Sequence, residues 1–188
     1  SGNVTVLASG ILTQAAAGDI VTTGTGTVDV QGGTIVMNDG ATVGTGSGNI
    51  RYVATGTMSL GALSTTGDVS LSASSITDSG TTDTDVTADE LRIVTTGTAS
   101  GNGAGTGSKA LEISVAKLAA DVNGTGTGGL FLTEANDILM GTLSAITVSR
   151  VGSDGTTLTP TTDAALSEID SDANLRSEEH TSELQSRL

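Results

Sequence analysis

The sequence predicts an all-β protein, a β-solenoid with irregular Gly/Thr-rich turns, from three observations. Short apolar alternations recur along the chain, a Gly-Asn/Asp turn signature returns before several of them, and aromatic residues make up 1% of 188 residues. Because Trp is absent and 36% of the residues are hydrophobic, the core is expected to be thin and aliphatic. A sandwich of antiparallel hairpins would give the same alternation but accounts less well for the recurring signature.

The predicted strands follow a two-residue period, which places every second side chain on one buried face. Clusters of Gly, Thr, Ser, Asn and Asp separate them and indicate turns. The alternations are Val28-x-Val30, Met58-x-Leu60, Val69-x-Leu71-x-Ala73, Leu91-x-Ile93, Leu111-x-Ile113-x-Val115, Leu130-x-Leu132 and Ile146-x-Val148. Stacked coils would share one continuous narrow core that no single coil could bury.

The turn signature occurs at Gly2-Asn3-Val4, Gly18-Asp19-Ile20, Gly48-Asn49-Ile50 and Gly67-Asp68-Val69. The interval from the second signature to the third is nearly twice the interval from the first to the second. This ratio fits short coils of about 15 residues each. Gly is expected to supply a positive φ at the corner, and Asn or Asp to bond its own backbone there.

Residues 109–122 are ambiguous between strand and helix. Leu111, Val115, Leu118 and Val122 also fit helical spacing, and Ala, Lys and Glu between them favour a helix. Both readings stay open from the sequence.

The segment 176–188 differs from everything before it. It is charged, free of glycine and helix-favouring, and Arg176 to Ser186 matches a translation of a common short-read sequencing adapter. We therefore expect a solenoid segment over 1–175, an internal fragment of a longer protein with room for irregular structure over 150–175, and a non-native tail over 176–188. Without the tail, 18 acids and five bases remain, and His180, the sole histidine, is lost.

Composition argues against several function classes. A formal charge of −14 argues against binding nucleic acid or an anionic membrane surface. No apolar run is long enough to span a membrane. With neither Cys nor His before residue 176, most nucleophile–base and transition-metal chemistry is also disfavoured.

Three segments, 46–80, 88–103 and 109–138, resemble the repeats of very large bacterial exoproteins of the filamentous-haemagglutinin and giant-adhesin type. Examples are GSGNIRYVATGTMSLGALSTTGDVSLSASSITDSG and ADELRIVTTGTASGNG. The resemblance implies a right-handed parallel β-helix, secretion to the bacterial cell surface and a role in attachment. It implies no catalytic or cofactor-binding residues.

The densest acidic stretch provides weak calcium candidates. Asp83, Asp85 and Asp89 carry the oxygen ligands that Ca²⁺ prefers, and Asp83 and Asp85 alternate like the opening of a calcium loop. The match fails where Ala88 replaces the turn glycine and Val94 replaces the bidentate Glu. A solvated acidic loop is the favoured interpretation, and no cofactor is expected.

An enzyme of the polysaccharide-degrading β-helix type is the main alternative. It would need paired carboxylates or a basic residue beside aromatics, in a groove with three or more carboxylates and an Arg or Lys. Arg51-Tyr52 is the one cation–aromatic pair, with an exposed Arg expected beside a Tyr that caps the core. A Thr array for ice binding is disfavoured, because Thr23-x-Thr25-x-Thr27, Thr55-x-Thr57 and Thr125-x-Thr127 are unevenly spaced.

The sequence therefore predicts a non-catalytic structural or adhesive segment, a stiff stalk or multivalent attachment surface. Its expected partners are host-cell or environmental surface ligands, including glycans, and other copies or segments of the same exoprotein. Many weak contacts on one rod would add through effective concentration.

Overall fold

A computed structural model describes residues 2–80 and 83–179, and it confirms the predicted all-β solenoid. Within these residues every regular element is a strand. The strands are β1 (Val4–Leu7), β2 (Ile11–Gln14), β3 (Ile20–Val21), β4 (Val28–Gly32), β5 (Thr34–Met37), β6 (Thr42–Gly44), β7 (Ile50–Ala54), β8 (Thr57–Leu60), β9 (Ala62–Ser64), β10 (Val69–Ala73), β11 (Ser75–Asp78), β12 (Val86–Thr95), β13 (Gly103–Ala104), β14 (Leu111–Val122), β15 (Gly129–Glu134), β16 (Leu139–Met140), β17 (Ile146–Val151), β18 (Leu158–Asp163), β19 (Ile169–Ser171) and β20 (Asn174–Glu179). In the described part of the chain, no helix is long and apolar enough to cross a membrane.

Eighteen strands stack in parallel into about six coils, and each complete coil has three sides. Side A contains β1, β4, β7, β10 and the second halves of β12 and β14. Side B contains β2, β5, β8, β11, β13 and the start of β15. Side C contains β3, β6, β9 and the first halves of β12 and β14.

The core is a set of aliphatic columns that run along the axis of the solenoid. On side A, one column joins the first inward residue of successive coils, and none of its members is more than 2% exposed: Val28, Ile50, Val69, Leu91 and Leu118. All seven predicted alternations lie in strands with their apolar residues buried. Stacking equal rows therefore provides the burial that large aromatic anchors provide in other folds.

The coils are longer than the spacing of the turn signatures predicted. Asn49 pairs with Asp68 of the next coil 19 residues later, Asn3 with Thr27 24 residues later, and Asn123 with Thr95 28 residues earlier. The short estimate is wrong because three of the signatures precede side A, whereas Gly18-Asp19 precedes β3 on side C. The interval between the first and second signatures thus spans two corners of a single coil.

The Asn and Asp residues of the signature bond the next coil rather than their own backbone. Asn3 Oδ1 accepts from the Thr27 amide at 2.9 Å, Asp19 Oδ1 from the Thr42 amide at 3.2 Å, and Asn49 Oδ1 from the Asp68 amide at 3.0 Å. The backbone amide of Glu90 hydrogen-bonds to Asp68 in the same way. Each signature therefore fixes the spacing between two coils at a corner.

Steric contact rather than a positive φ accounts for the signature glycine at Gly48, whereas nothing lies within 4 Å of the Cβ position of Gly2. None of the signature glycines has a positive φ, whereas Gly24 and Gly40 elsewhere do. A Cβ on Gly48 would overlap the carbonyl oxygen of Gly26 in the preceding coil. Close approach between backbones, rather than a left-handed conformation, excludes a side chain at this corner.

Residues 109–122 form no helix: β14 covers Leu111–Val122. Leu111, Ile113 and Val115 are buried in alternation, and after the corner Leu118, Ala120 and Val122 are buried in alternation too. The chain turns from side C to side A between these two sets, which shifts the alternation by one residue. That shift produces the three-residue spacing between Val115 and Leu118 that resembles a helix.

An antiparallel hairpin of β17 and β18 lies across the outer surface of side A. In each of five successive coils it contacts the residue at the same register position of side A. These residues are Thr5, Asp29, Arg51, Ser70 and Arg92. Within the hairpin, two residues of β17 are buried: Val148 has no exposed surface and Ile146 is 1% exposed. Residues 150–175 therefore contain the end of β17, all of β18 and two further parallel strands, β19 and the start of β20.

The expectation that Arg51 is exposed beside a Tyr52 that caps the core is wrong for Arg51, because the hairpin covers it. Tyr52 is a core residue with no exposed surface, and its hydroxyl donates to Gln14 Oε1 at 3.2 Å. Arg51 is 9% exposed rather than free, because Asp163 of the hairpin and Asp29 of the preceding coil hold its guanidinium. The two side chains do point to opposite faces, as neighbouring strand positions require.

The residues attributed to the adapter begin inside β20. Asn174 to Glu179 pair in parallel with β15, from Gly129 to Glu134. Leu175 is 57% exposed, so this strand adds backbone hydrogen bonds to an open sheet edge without adding a core row. An open edge accepts an extended segment whatever its side chains are. His180 and the rest of the tail lie outside the described residues.

Candidate functional site

A cluster of three carboxylates lies at the corner between sides B and C. Asp78 ends β11, Asp85 precedes β12, and Glu112 is the second residue of β14 in the next coil. One carboxylate oxygen of each lies within 4.8 Å of the others. Two hydrogen bonds join the coils here: Asp85 N donates to the Glu112 carbonyl oxygen at 2.7 Å, and Glu112 N donates to the side-chain oxygen Asp85 Oδ2 at 2.9 Å.

Lys109 provides the cation at this corner. Its Nζ lies 3.2 Å from Asp78 Oδ2 and donates a hydrogen bond to the Asp78 carbonyl oxygen at 3.1 Å. A tight turn positions Lys109, because Thr106 and Lys109 exchange backbone hydrogen bonds of 2.7 and 3.1 Å. Lys109 thus bridges two successive coils.

The electrostatics of the cluster are unfavourable for three free carboxylates. Burial, followed by the negative charge of Asp78, raises the pKa of Asp85 to about 9, and the Glu112 amide offsets part of this rise. Asp78 Oδ2 and Glu112 Oε2 are buried oxygens that accept no hydrogen bond. Buried polar atoms of this kind are uncommon in folded proteins and call for a physical reason.

A groove of about 540 Å³ opens onto the cluster. Asp78, Glu112 and Lys109 line it, together with Phe131 and Arg176. Asp85 completes the carboxylate cluster but is not on the wall of this groove. Two carboxylates, rather than three, therefore face a ligand here, and one of the two cations belongs to the segment attributed to the adapter.

The structure separates the three calcium candidates of the sequence. Asp85 is 3% exposed and joins the cluster, whereas Asp83 and Asp89 are exposed and lie outside that group. Sequence reasoning missed Glu112, which follows Asp85 by 27 residues. That interval equals the length of this coil, as the Glu90–Lys117 pair also shows. A correct coil length would have placed Glu112 beside Asp85.

A second, more open groove of about 640 Å³ crosses side C. Its wall carries hydroxyl, carboxylate and amide groups from successive coils. They are contributed by Thr65, Thr66, Thr87, Asp89, Ser114, Asn136 and Asp137. Asn136 Nδ2 donates to Ser114 Oγ at 2.7 Å, which fixes one amide at the rim. Such a row of small donors and acceptors suits a hydroxyl-rich ligand.

The Thr-x-Thr stretches lie mostly in corners rather than on a flat sheet, although Thr57 begins β8. Thr23, Thr25 and Thr27 occupy the connection between β3 and β4, and Thr125 and Thr127 precede β15. Thr55 lies between β7 and β8.

Glu134 is a buried acid whose titration should affect stability. It is 1% exposed, burial raises its pKa, and backbone amides of Asn136 and Val115 offset part of the rise. Since the folded protein holds this proton more tightly than the unfolded chain, stability should fall as pH rises above about 4.5 towards the folded pKa. We expect the urea midpoint to change less between pH 5 and pH 8 in Glu134→Gln than in the unsubstituted protein. An unchanged slope would contradict a buried, proton-retaining Glu134.

The cluster and both grooves are built from pairings between coils. A protein with the same cluster and grooves would therefore have to share the coil register of this chain. A scan against protein families, a search of curated proteins and a search of solved structures each found no match to the chain.

Proposed function

We propose that this chain is a structural and adhesive segment of a secreted bacterial surface protein. It acts as a stiff stalk that carries a multivalent attachment surface. The groove on side C is the observation that carries the proposal, because hydroxyl groups of three successive coils line it, together with two carboxylates and one amide. Repetition along a rod multiplies weak contacts through effective concentration.

The inter-coil contacts support the stalk role. The corner Asn and Asp residues bond one coil to the next, and the hairpin spans five coils. At a strand spacing of about 4.8 Å, six coils extend roughly 29 Å along the axis. Longer arrays of the same coil would lengthen the rod without a new core design.

The distribution of charge supports an attachment surface for neutral or cationic ligands. Arg51, Arg150, Lys109 and Lys117 form ion pairs with acids of this chain, and Arg92 donates to a backbone carbonyl. The cations are thus engaged internally, whereas several acids stay exposed. Neutral saccharides, which hydroxyl and amide groups recognise through hydrogen bonds, are the ligand class that fits the side C groove best.

Adhesion can be measured with beads that carry many copies of the chain. We expect them to bind saccharide-coated surfaces, and Thr87→Val together with Asn136→Ala to reduce retention at least several-fold, because the avidity of a repeated site falls steeply. Thr13→Val, an exposed substitution on β2, serves as the matched control. Equal retention of all three chains, or none above bare beads, would contradict the proposal.

An alternative is a polysaccharide-degrading enzyme, favoured by the groove that Asp78, Glu112, Lys109 and Phe131 line. The nearest oxygens of the clustered carboxylates lie within 4.8 Å of one another. Glycoside hydrolases usually separate their two carboxyl groups by about 5–5.5 Å or 6.5–9.5 Å, so this cluster fits hydrolysis poorly. Release of reducing ends from a polysaccharide, abolished in Glu112→Gln, would replace the adhesive proposal with this one.

A further inference from the structure

We propose that Asp78, Asp85 and Glu112 form a calcium-binding site at the corner between sides B and C. The sequence pointed to a different set, Asp83, Asp85 and Asp89, of which only Asp85 belongs to this site. The site is independent of the proposed adhesive function. Calcium would bind to two successive coils at once and hold them together.

The spacing of the three ligands fits a calcium ion. Ca²⁺ binds oxygen at about 2.3–2.6 Å, so two ligands on opposite sides of one ion lie roughly 4.6–5.2 Å apart. One oxygen from each carboxylate lies within 4.8 Å of the other two, which is the span of such a shell. Three carboxylates can supply up to six oxygens, and Ca²⁺ takes six to eight.

A second observation is that two buried carboxylate oxygens of these residues accept no hydrogen bond. The Asp78 side chain is 2% exposed, and its Oδ2, which lies in the cluster, accepts no hydrogen bond. Lys109 Nζ makes an ion pair with this oxygen at 3.2 Å, but its hydrogen bond goes to the Asp78 main-chain carbonyl instead. Glu112 Oε2 is also buried without a donor. A cation among these residues would satisfy the Glu112 oxygen, which has no donor, and would add a second positive charge at Asp78 Oδ2 beside the Lys109 ammonium.

The local charge favours a divalent ion. A bound Ca²⁺ would displace the proton from Asp85, and the three carboxylates and one ammonium would then carry a formal charge of −2, which Ca²⁺ neutralises. Mg²⁺ demands near-ideal octahedral geometry and dehydrates reluctantly, so a buried corner with flexible carboxylates suits it less well. The groove along Asp78 and Glu112 gives an ion a route from solvent to the cluster.

The test begins with calorimetric titration of the full chain with CaCl₂ and with MgCl₂ at matched ionic strength. We expect calcium to bind with a Kd of about 10⁻⁴–10⁻³ M, the range of many extracellular modules, and to bind more tightly than magnesium. The melting temperature should rise with calcium concentration, because the ion binds the folded state. The proposal is overturned if no heat of calcium binding is detected at calcium concentrations up to 10-fold above that range. It is also overturned if magnesium binds more tightly than calcium.

Variants locate the site. Glu112→Gln and Asp85→Asn should each weaken calcium binding roughly tenfold or more, since each removes a charged ligand. Asp83→Asn and Asp89→Asn, which change exposed acids next to the site in sequence, should leave the affinity unchanged. If either control abolishes binding while Glu112→Gln does not, the assignment is wrong. Circular dichroism checks folding, and Glu112→Gln, at a partly exposed position, decides the matter if Asp85→Asn does not fold.

Lys109→Met tests the electrostatics in the opposite direction. Removing the ammonium raises the negative charge of the cluster, so calcium affinity should increase, roughly threefold to tenfold. A purely structural ion-pair cluster would lose stability in this variant without gaining calcium affinity. Calcium affinity that stays constant or falls in folded Lys109→Met would therefore also count against the site.

Discussion

Replacing Asp29 with Ala is expected to lower the free energy of unfolding by about 3–5 kcal/mol, because Arg150 loses its ion-pair partner and the nearly buried Arg51 keeps only Asp163. Asp29 has no exposed surface, and its two carboxylate oxygens bind two guanidinium groups. Oδ1 lies 3.0 Å from Arg51 Nη1, and Oδ2 lies 2.7 Å from Arg150 Nε. The variant would remove one of the two acids, with Asp163, through which ion pairs join the hairpin to side A.

Urea unfolding followed by circular dichroism measures this loss. Asp137→Ala is the matched control, since it removes an exposed acid and should change stability by no more than about 0.5 kcal/mol. A double-mutant cycle with Arg51→Met should give a coupling energy of about 1 kcal/mol or more, because the two side chains are in contact. If Asp29→Ala is as stable as Asp137→Ala, the hairpin does not depend on the buried ion pairs.

The substitution Gly48→Ala is expected to cost about 3 kcal/mol, at the upper end of the range for overpacking. The added Cβ would overlap the Gly26 carbonyl oxygen and lie 2.5 Å from the Gly26 carbonyl carbon. These are backbone atoms, which cannot move aside as a flexible side chain would. The two coils would have to separate at the corner where Val28 N donates to Asn49 O at 3.1 Å.

Gly44→Ala provides the control for this prediction. Gly44 also lies in the solenoid, but nothing is within 4 Å of the position of its Cβ. Removing glycine there should be neutral or stabilise the protein by up to about 1 kcal/mol through the unfolded state. Thermal unfolding of the two variants side by side gives the comparison. Equal melting temperatures would show that close backbone approach is not what requires Gly48.

The strands were predictable because their alternation is local information. Val69-x-Leu71-x-Ala73 needs no knowledge of its neighbours to indicate an inward row, and it is buried as predicted. Coil length was not predictable, because corners contain variable numbers of residues while the sides keep their register. The coil between Asp85 and Glu112 is an example. Because it is long, the sequence spacing did not indicate that Glu112 belongs to the carboxylate cluster.

The hairpin could be predicted only in part. Ile146-x-Val148 indicated a strand correctly, but its antiparallel partner, β18, is mostly exposed and contains Pro160. A proline and a polar pattern carry no strand signal, since proline lacks the backbone donor of a regular ladder. The cover over Arg51 therefore depends on a pairing that no local pattern encodes. Of the three acids that the sequence indicated, Asp85 belongs to the cluster, whereas Asp83 and Asp89 are exposed outside it. Their positions depend on how the coils stack, which no local pattern encodes.

The hairpin makes the rod mechanically unequal around its axis. It is hydrogen-bonded to Thr5 in the first coil and to Arg92 in the fifth, so along side A a tether runs parallel to the axis. Tension that separates the ends would load this tether together with the coil-to-coil hydrogen bonds. Sides B and C have no such tether among the described residues. Bending that stretches side A should therefore meet more resistance than bending that stretches the opposite corner, which gives the stalk a preferred direction of flexure.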